Sequence, residues 1–221
     1  MELEEILVMQ QGWVRLMERH RVAPADARPV FELLVAAYRS PERHYHTLEH
    51  LDDMFRVAGR LMAITDDPRT VQLAIWFHDA VYDPRARDNE ARSAELAVTL
   101  LGPIGVSKSE LEVVTRLILA TAHLAGPHPP GNREMAILLD ADLAILGSSP
   151  ERYGRYAVDI RTEYSWVPEA EYCKARARVL EQFLARPRLY WTEPMSEEFE
   201  ARARENMTRE RGEWLGMNSA R

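Results

Sequence analysis

An apolar stretch that ends in a neighbouring histidine and aspartate constrains this chain more than any other feature. Residues 73–83 read LAIWFHDAVYD, and their composition predicts a buried helix that carries His78 and Asp79 near its end. Burying charged groups is costly unless they are paired or bound to a metal. Adjacent helical side chains point about 100° apart, so both can reach one cation at the rim of a pocket. The pair is therefore a candidate half of a metal site.

The other half of such a site has candidates on both sides of the pair. His44, His46 and His50 lie upstream, and Asp140 and Asp142 lie downstream within a strongly apolar segment. His46 and His50 are four residues apart and so share a helix face. His50 is the favoured ligand because apolar residues follow it at helical spacing, which turns its face towards the core. His46 stays open as the alternative ligand.

The residue types narrow the chemistry of the site. Imidazole and carboxylate ligands suit divalent Mn, Fe, Co, Ni or Zn, and Mg is also considered, whereas the usual structural zinc motifs are excluded because Cys173 is the only cysteine. Cys173 lies among alternating charged and apolar residues and is expected to be structural. His20 and His128 are expected to be ordinary core or surface histidines.

Hydrophobic periodicity predicts an all-α fold. Apolar residues recur at spacings of three and four along the chain, and no clean alternating strand or repeat is found. Ser107 and Glu110 form a capping-box pattern, and Asp67-Pro68 predicts the start of the helix that ends in the His-Asp pair. Pro24 and Pro29 are expected to bracket a break between the first two helices. Roughly ten helices are expected.

Length and charge bound the remaining expectations. The chain has 221 residues and a formal net charge of -7, which argues against sequence-independent binding of nucleic acid. We expect one domain over residues 1–221, with a metal-bearing core at about 40–147 and covering helices at about 150–214. An acidic N-terminus and the lack of a long apolar run predict a cytoplasmic protein with no membrane partner. A monomer or a homodimer is expected.

Four strings in order resemble the HD-domain superfamily of metal-dependent phosphohydrolases, and within it a bacterial subfamily of predicted phosphohydrolases. They are RHYHTLEH at 43–50, WFHDAVYD at 76–83, DNE at 88–90 and LDADL at 139–143. The resemblance covers most of the chain and implies an HD-like helical bundle with extra C-terminal helices. It implies that His50 or His46, His78, Asp79 and Asp142 bind the metal. Asp142 matches the family pattern better than Asp140, which stays open.

The resemblance also implies an activity. A metal-activated water would attack the phosphorus of a nucleotide or another small phosphate ester. Arg43, His46 and His123 are candidates to bind the substrate, and Asp79, Asp83 and Glu90 are candidates for acid-base roles. One metal ion is expected, with a second conceivable through His123.

Two other readings stay open at this point. The chain could be a catalytically silent module that binds a metal or a nucleotide, or an HD-type hydrolase or hydratase for a substrate without phosphate. Four residues at three-to-four spacing could line a pocket or simply pack: Tyr153, Tyr156, Arg161 and Tyr164.

Overall fold

The computed structural model describes residues 3–65, 67–123 and 130–219, and every regular element in these ranges is helical. The expectation of an all-α protein is confirmed. The ten α-helices are α1 (Leu3–Arg19), α2 (Pro24–Tyr38), α3 (Leu48–Leu61), α4 (Pro68–Phe77), α5 (Asn89–Leu101), α6 (Lys108–Ala120), α7 (Arg133–Asp142), α8 (Pro150–Glu163), α9 (Glu169–Leu184) and α10 (Glu193–Ser219). Short 3₁₀ helices follow α3 at Met62–Ile64 and α7 at Leu143–Gly147.

The helix that leads to the His-Asp pair is central to the packing. Seven of the ten residues of α4 are buried, and the helix contacts α1, α3, α5, α6 and α7. Rings from three of the neighbouring helices surround Trp76, namely Trp13, Phe31 and Phe55. Aromatic residues bury large areas, so this ring cluster holds the end of α4 firmly in place. His78 follows directly on this helix.

Local start signals explain where two of these helices begin. The Asp67 side chain accepts a hydrogen bond from the backbone of Arg69, and Pro68 occupies the first turn of α4. At α6 both halves of the capping box between Ser107 and Glu110 are formed. These side chains satisfy backbone N–H groups that the first turn of a helix leaves without partners.

The expected break between Pro24 and Pro29 is wrong. Helix α2 begins at Pro24 and continues through Pro29. A proline inside a helix removes one backbone hydrogen bond, which usually ends the helix. Here burial offsets that loss, because Phe31 packs in the core and the Trp13 indole donates to the carbonyl of Ala27 at 2.8 Å.

The last three helices are joined by a buried ion pair. Arg176 of α9 donates two hydrogen bonds to Glu210 of α10, at 2.8 and 3.0 Å. From α8, Tyr153 donates to the same carboxylate and Tyr156 accepts from Arg176. Helix α10 also packs on the 3₁₀ helix Leu143–Gly147, so it covers the chain directly after Asp142. The division into a core and covering helices within one domain stays a prediction.

In the described ranges, none of the helices combines the length and apolar character that crossing a bilayer requires.

We predict that Glu210→Ala lowers the free energy of unfolding by about 3–5 kcal/mol, because it leaves the buried guanidinium of Arg176 without its counter-charge. Urea unfolding followed by circular dichroism measures this. Glu32→Ala, which breaks an exposed pair with Arg28, is the control and should change the midpoint little. Equal losses in the two variants would contradict the role assigned to the buried pair.

Candidate metal centre

Three side chains from separate helices converge at the end of α4. The Nε2 atoms of His50 and His78 are 3.2 Å apart, and Oδ1 of Asp142 lies 3.3 Å from the first and 3.7 Å from the second. His50 belongs to α3, His78 follows α4 and Asp142 ends α7. The two imidazoles are buried and the carboxylate is partly exposed. The structure therefore brings together three of the residues that the sequence nominated.

Local hydrogen bonds aim both imidazoles at this point. His78 continues the last turn of α4 through its backbone N–H, and its Nδ1 faces the carbonyl of Ile75 at 2.9 Å. That contact assigns the proton to Nδ1 and leaves Nε2 free for a ligand role. His50 lies in the first turn of α3, whose start is capped by Thr47.

The spacing of these donor atoms fits a single cation. Metal to nitrogen or oxygen distances of about 2.0–2.2 Å place neighbouring ligand atoms roughly 3.0–3.5 Å apart in octahedral or tetrahedral sites. Two of the observed separations, 3.2 and 3.3 Å, fall in this range, and the third, 3.7 Å, lies just above it. The donor set can therefore hold a divalent ion with little movement. The identity of the metal stays a prediction.

The electrostatics of the cluster also suit a cation. Burial lowers the pKa of His50. Burial acts the same way on His78, but the charge and hydrogen bond of Asp79 outweigh it and raise the pKa of His78 to about 9. Burial opposes ionisation of Asp142, yet hydrogen bonds from His123 and His50 hold the pKa of Asp142 well below its ordinary value. A proton on His78 and a metal ion would thus compete for the same Nε2 atom.

Asp79 and His46 lie beside the three-residue cluster. An Asp79 oxygen is 3.1 Å from Nε2 of His78 and 3.9 Å from Nε2 of His46. The other nitrogen of His46 contacts Glu163 at 2.7 Å, and its ring stacks on Tyr82. His46 is therefore engaged on its far side and turned towards Asp79, whereas His50 faces the cluster directly.

Glu163, which the sequence reading did not select, organises the segment that carries His46. One of its oxygens accepts hydrogen bonds from the backbone N–H groups of His44, Tyr45 and His46, at 2.8, 2.8 and 3.0 Å. The other accepts from Tyr82 and contacts the His46 ring. Burial alone would raise the pKa of Glu163, but the charge of His46 and these hydrogen bonds lower it to about 2. The carboxylate is thus ionised and fully paired.

A signal for Glu163 was present in the sequence. It lies on the helical stripe of Tyr153, Tyr156 and Ile160, at spacings of three and four, where a charge faces the core. A carboxylate on a buried face needs donors, but its donors lie 117–119 residues upstream. Pattern analysis of one helix could flag the residue but could not name its partners.

Two nominated residues have other roles in the structure. Arg43, expected to bind the substrate phosphate, donates instead to the carbonyls of His46, Asp79 and Ala80. Its guanidinium is thereby committed to fixing the histidine segment against the end of α4. The Asp83 side chain accepts from the backbone of Arg85 in an exposed turn, and neither Arg43 nor Asp83 lines the cavity beside the cluster.

The two downstream aspartates are clearly separated. Asp140 is fully buried and accepts from the backbone of Trp191 and from both the backbone and hydroxyl of Thr192. It fixes the start of α10 and points away from the histidines, whereas Asp142 contacts His50 and, at 2.7 Å, His123.

His20 and Cys173 lie outside the three-residue cluster. His20 pairs with Glu110, away from the cluster, and Cys173 is buried in α9. His128 lies outside the described residues.

A cavity of about 760 Å³ opens beside the cluster. Asp79, Asp142, His46, His123 and Glu90 line it, so the nominated residue Glu90 does face this space. Tyr156 and Tyr164 also line it, whereas Tyr153 and Arg161 do not. A volume of this size accommodates a small organic ligand.

Comparisons of the chain with protein-family models, with curated proteins and with solved structures returned no match.

We predict that His50→Ala abolishes stoichiometric binding of Mn²⁺ or Co²⁺, while His46→Ala retains it, because Nε2 of His50 lies 3.3 Å from Asp142 within the three-residue cluster and His46 is outside that cluster. Isothermal titration of metal-stripped protein and elemental analysis measure the difference. His44→Ala, an exposed histidine in the same segment, is the control. Retention by His50→Ala together with loss in His46→Ala would exchange the two assignments.

We also predict that Glu163→Gln lowers the free energy of unfolding at pH 7 by roughly 1.5–3 kcal/mol, the range for hydrogen bonds to a charged group. The folded pKa of about 2 lies below the ordinary 4.5, so this stabilisation is present above the ordinary value and is lost as the pH falls towards 2. The difference between the wild type and the variant should therefore shrink over that interval in urea unfolding.

Asp159→Asn removes a charge one turn earlier on α8, where burial raises the pKa of the carboxyl, and it should not lower the free energy of unfolding at pH 7. A Glu163→Gln protein as stable as the wild type at pH 7 would contradict the anchoring role of Glu163.

Proposed function

We propose that this protein is a metal-dependent phosphohydrolase that acts on a nucleotide or another small phosphate ester. The observation that carries the proposal is the convergence of His50, His78 and Asp142, with donor atoms 3.2–3.7 Å apart, beside a cavity of about 760 Å³. The resemblance of the sequence strings to the HD-domain superfamily supports the same reading. Membership of that superfamily is part of the proposal.

The chain's own residues have separate tasks in this scheme. His50, His78 and Asp142 would hold the ion, with Asp79 at its side. When bound, a divalent ion would acidify a water molecule and polarise a phosphate oxygen. His46 and His123 line the cavity, and their Nε2 atoms lie 3.9 Å from Asp79 and 2.7 Å from Asp142, respectively. Both imidazoles can therefore orient the phosphate or move a proton. Arg43 and Glu163 would keep this geometry in place.

The reaction balances as a simple hydrolysis. The oxygen of water bonds to phosphorus, the bond between phosphorus and the alcohol oxygen breaks, and a proton from the water ends on that alcohol oxygen. Among the described cavity residues, Glu90 offers a further carboxylate that can accept a proton.

A screen of metal-stripped protein reloaded with Mn²⁺, Co²⁺, Ni²⁺ or Mg²⁺ against phosphomonoesters and nucleotides tests the proposal. We predict metal-dependent release of inorganic phosphate that a chelator stops. Asp142→Asn should lower kcat/KM by more than the 10–100-fold that is typical of an outer partner. Asp140→Asn is the matched control, and it should lose stability but keep the rate where it stays folded.

Two results would contradict this function. A protein that binds one metal ion but releases phosphate from none of the esters would be a metal-binding regulatory module. A protein that binds no metal would remove the basis of the proposal.

A further inference from the structure

The cavity beside the cluster contains few groups that could bind a highly charged ligand. Among the described residues that line it, Arg87 is the one arginine or lysine, while Asp79, Asp142 and Glu90 are carboxylates. Apart from the imidazoles of His46 and His123, which also line the cavity, a divalent ion together with Arg87 would balance these three negative charges. A monophosphate adds about two charges and a nucleoside triphosphate about four, and at short range each excess charge is strongly repelled.

The other guanidinium groups near the cavity are already engaged. Arg43 donates to three backbone carbonyls, and Arg176 is paired with Glu210. Arg161 donates to the carbonyls of Tyr164 and Val167, and Arg186 to that of His123. Recruiting any of these to a second or third phosphate would break its present hydrogen bonds. The charge balance therefore favours a ligand with one phosphate group.

Four neutral polar side chains in the lining are also engaged. The Asn89 amide accepts from and donates to the backbone of Asp83, and the Thr121 hydroxyl donates to the carbonyl of Ile118. The hydroxyls of Tyr82 and Tyr156 contact Glu163 and Arg176. A nucleobase is recognised through hydrogen bonds to its edge, and these side chains have few to offer.

Much of the remaining lining is apolar or aromatic. Leu143, Leu146, Ile160, Val179 and Phe183 line the cavity from the 3₁₀ helix after α7 and from α8 and α9. Four tyrosines add ring surface to the lining: Tyr45, Tyr82, Tyr156 and Tyr164. Burying the apolar ring of a ligand against such a surface stabilises the complex. Aromatic rings also prefer edge or offset contacts with aromatic side chains.

We propose that the cavity selects phosphate monoesters of apolar, ring-bearing alcohols and discriminates against nucleoside di- and triphosphates. This inference rests on the proposed phosphohydrolase function and names the substrate class of the same site. The phosphate would lie at the histidine and aspartate cluster, and the alcohol part would lie against the wall that α8 and α9 provide.

The test compares four monoesters of aliphatic alcohols on the full-length protein loaded with Mn²⁺: 1-naphthylmethyl phosphate, benzyl phosphate, glycerol 3-phosphate and AMP, with ATP as a fifth substrate. Their alcohol leaving groups are chemically similar, so differences in kcat/KM report binding of the alcohol part. We expect the naphthylmethyl ester to exceed glycerol 3-phosphate and AMP by at least about tenfold, the effect of burying one ring. ATP should be the poorest substrate.

Two variants test whether the apolar wall of the cavity causes the preference for ring-bearing esters. Val179→Lys places a charge in the apolar wall, and should lower kcat/KM for the naphthylmethyl ester about tenfold or more while changing that for glycerol 3-phosphate much less. Val158→Lys, the same change at an exposed position of α8, is the control and should leave both unchanged. Equal effects of Val179→Lys on both esters would overturn the assignment of the wall.

Binding of non-hydrolysable phosphonates separates this inference from the function on which it rests. If no ester is hydrolysed but 1-naphthylmethylphosphonate binds the Mn²⁺-loaded protein at least tenfold more tightly than methylphosphonate and pyrophosphate, the selectivity holds and the enzymatic function fails. If esters are hydrolysed with AMP or ATP preferred, or without regard to the ring, the function holds and the substrate class is wrong. If no ester is hydrolysed, and 1-naphthylmethylphosphonate, methylphosphonate and pyrophosphate bind with similar affinity, the enzymatic function and the substrate class are both wrong.

Discussion

The geometry of the site depends on one buried carboxylate, that of Glu163. It accepts three backbone N–H groups of the segment that carries His46, and it lies 117 residues further along the chain than that histidine. A buried carboxylate without donors is costly, so the segment must adopt the shape that supplies them. The same shape brings the chain to Thr47, where α3 begins, and α3 then presents His50. The last turn of α8 thereby sets the position of the histidines.

Arg43 completes this arrangement from the opposite direction. Its bonds to the carbonyls of Asp79 and Ala80 satisfy acceptors that the end of α4 leaves open, and its guanidinium lies between the rings of Tyr38 and Tyr82. One buried cation and one buried anion thus hold the segment on both sides. Asp79 and Asp142 are left to face the imidazoles, where a bound cation would offset their charge. The supporting ion contacts and the ligand set are therefore separate groups of residues.

The sequence was informative wherever a signal is local. Caps at Ser107 and Asp67 and the helical spacing of apolar residues predicted the all-α fold, and the buried setting of His50, His78 and Asp142 predicted that they meet. Contacts between distant residues carry no local signal. The bonds of Asp140 to Thr192 and of Glu163 to the histidine segment therefore could not be predicted, and neither could the diversion of Arg43 to backbone carbonyls. Pro29 was misjudged for the same reason, since the burial of Phe31 and the hydrogen bond from Trp13 to the carbonyl of Ala27 outweigh the local preference of the proline.

Different helices supply the candidate ligands and the apolar wall of the cavity. The candidate ligands come from α3, the end of α4 and α7, whereas α8 and α9 provide part of the apolar wall of the cavity. A chain of side-chain contacts connects the two parts. Arg176 donates to the hydroxyl of Tyr156. The ring centroids of Tyr156 and Tyr45 are 4.7 Å apart, and those of Tyr45 and His50 are 4.8 Å apart. Because Arg176 is itself fixed by Glu210, the ion pair that joins the last three helices also supports the wall behind His50. Close-packed rings transmit small displacements. A change in the C-terminal helices should therefore alter the positions of the candidate ligands before the protein unfolds.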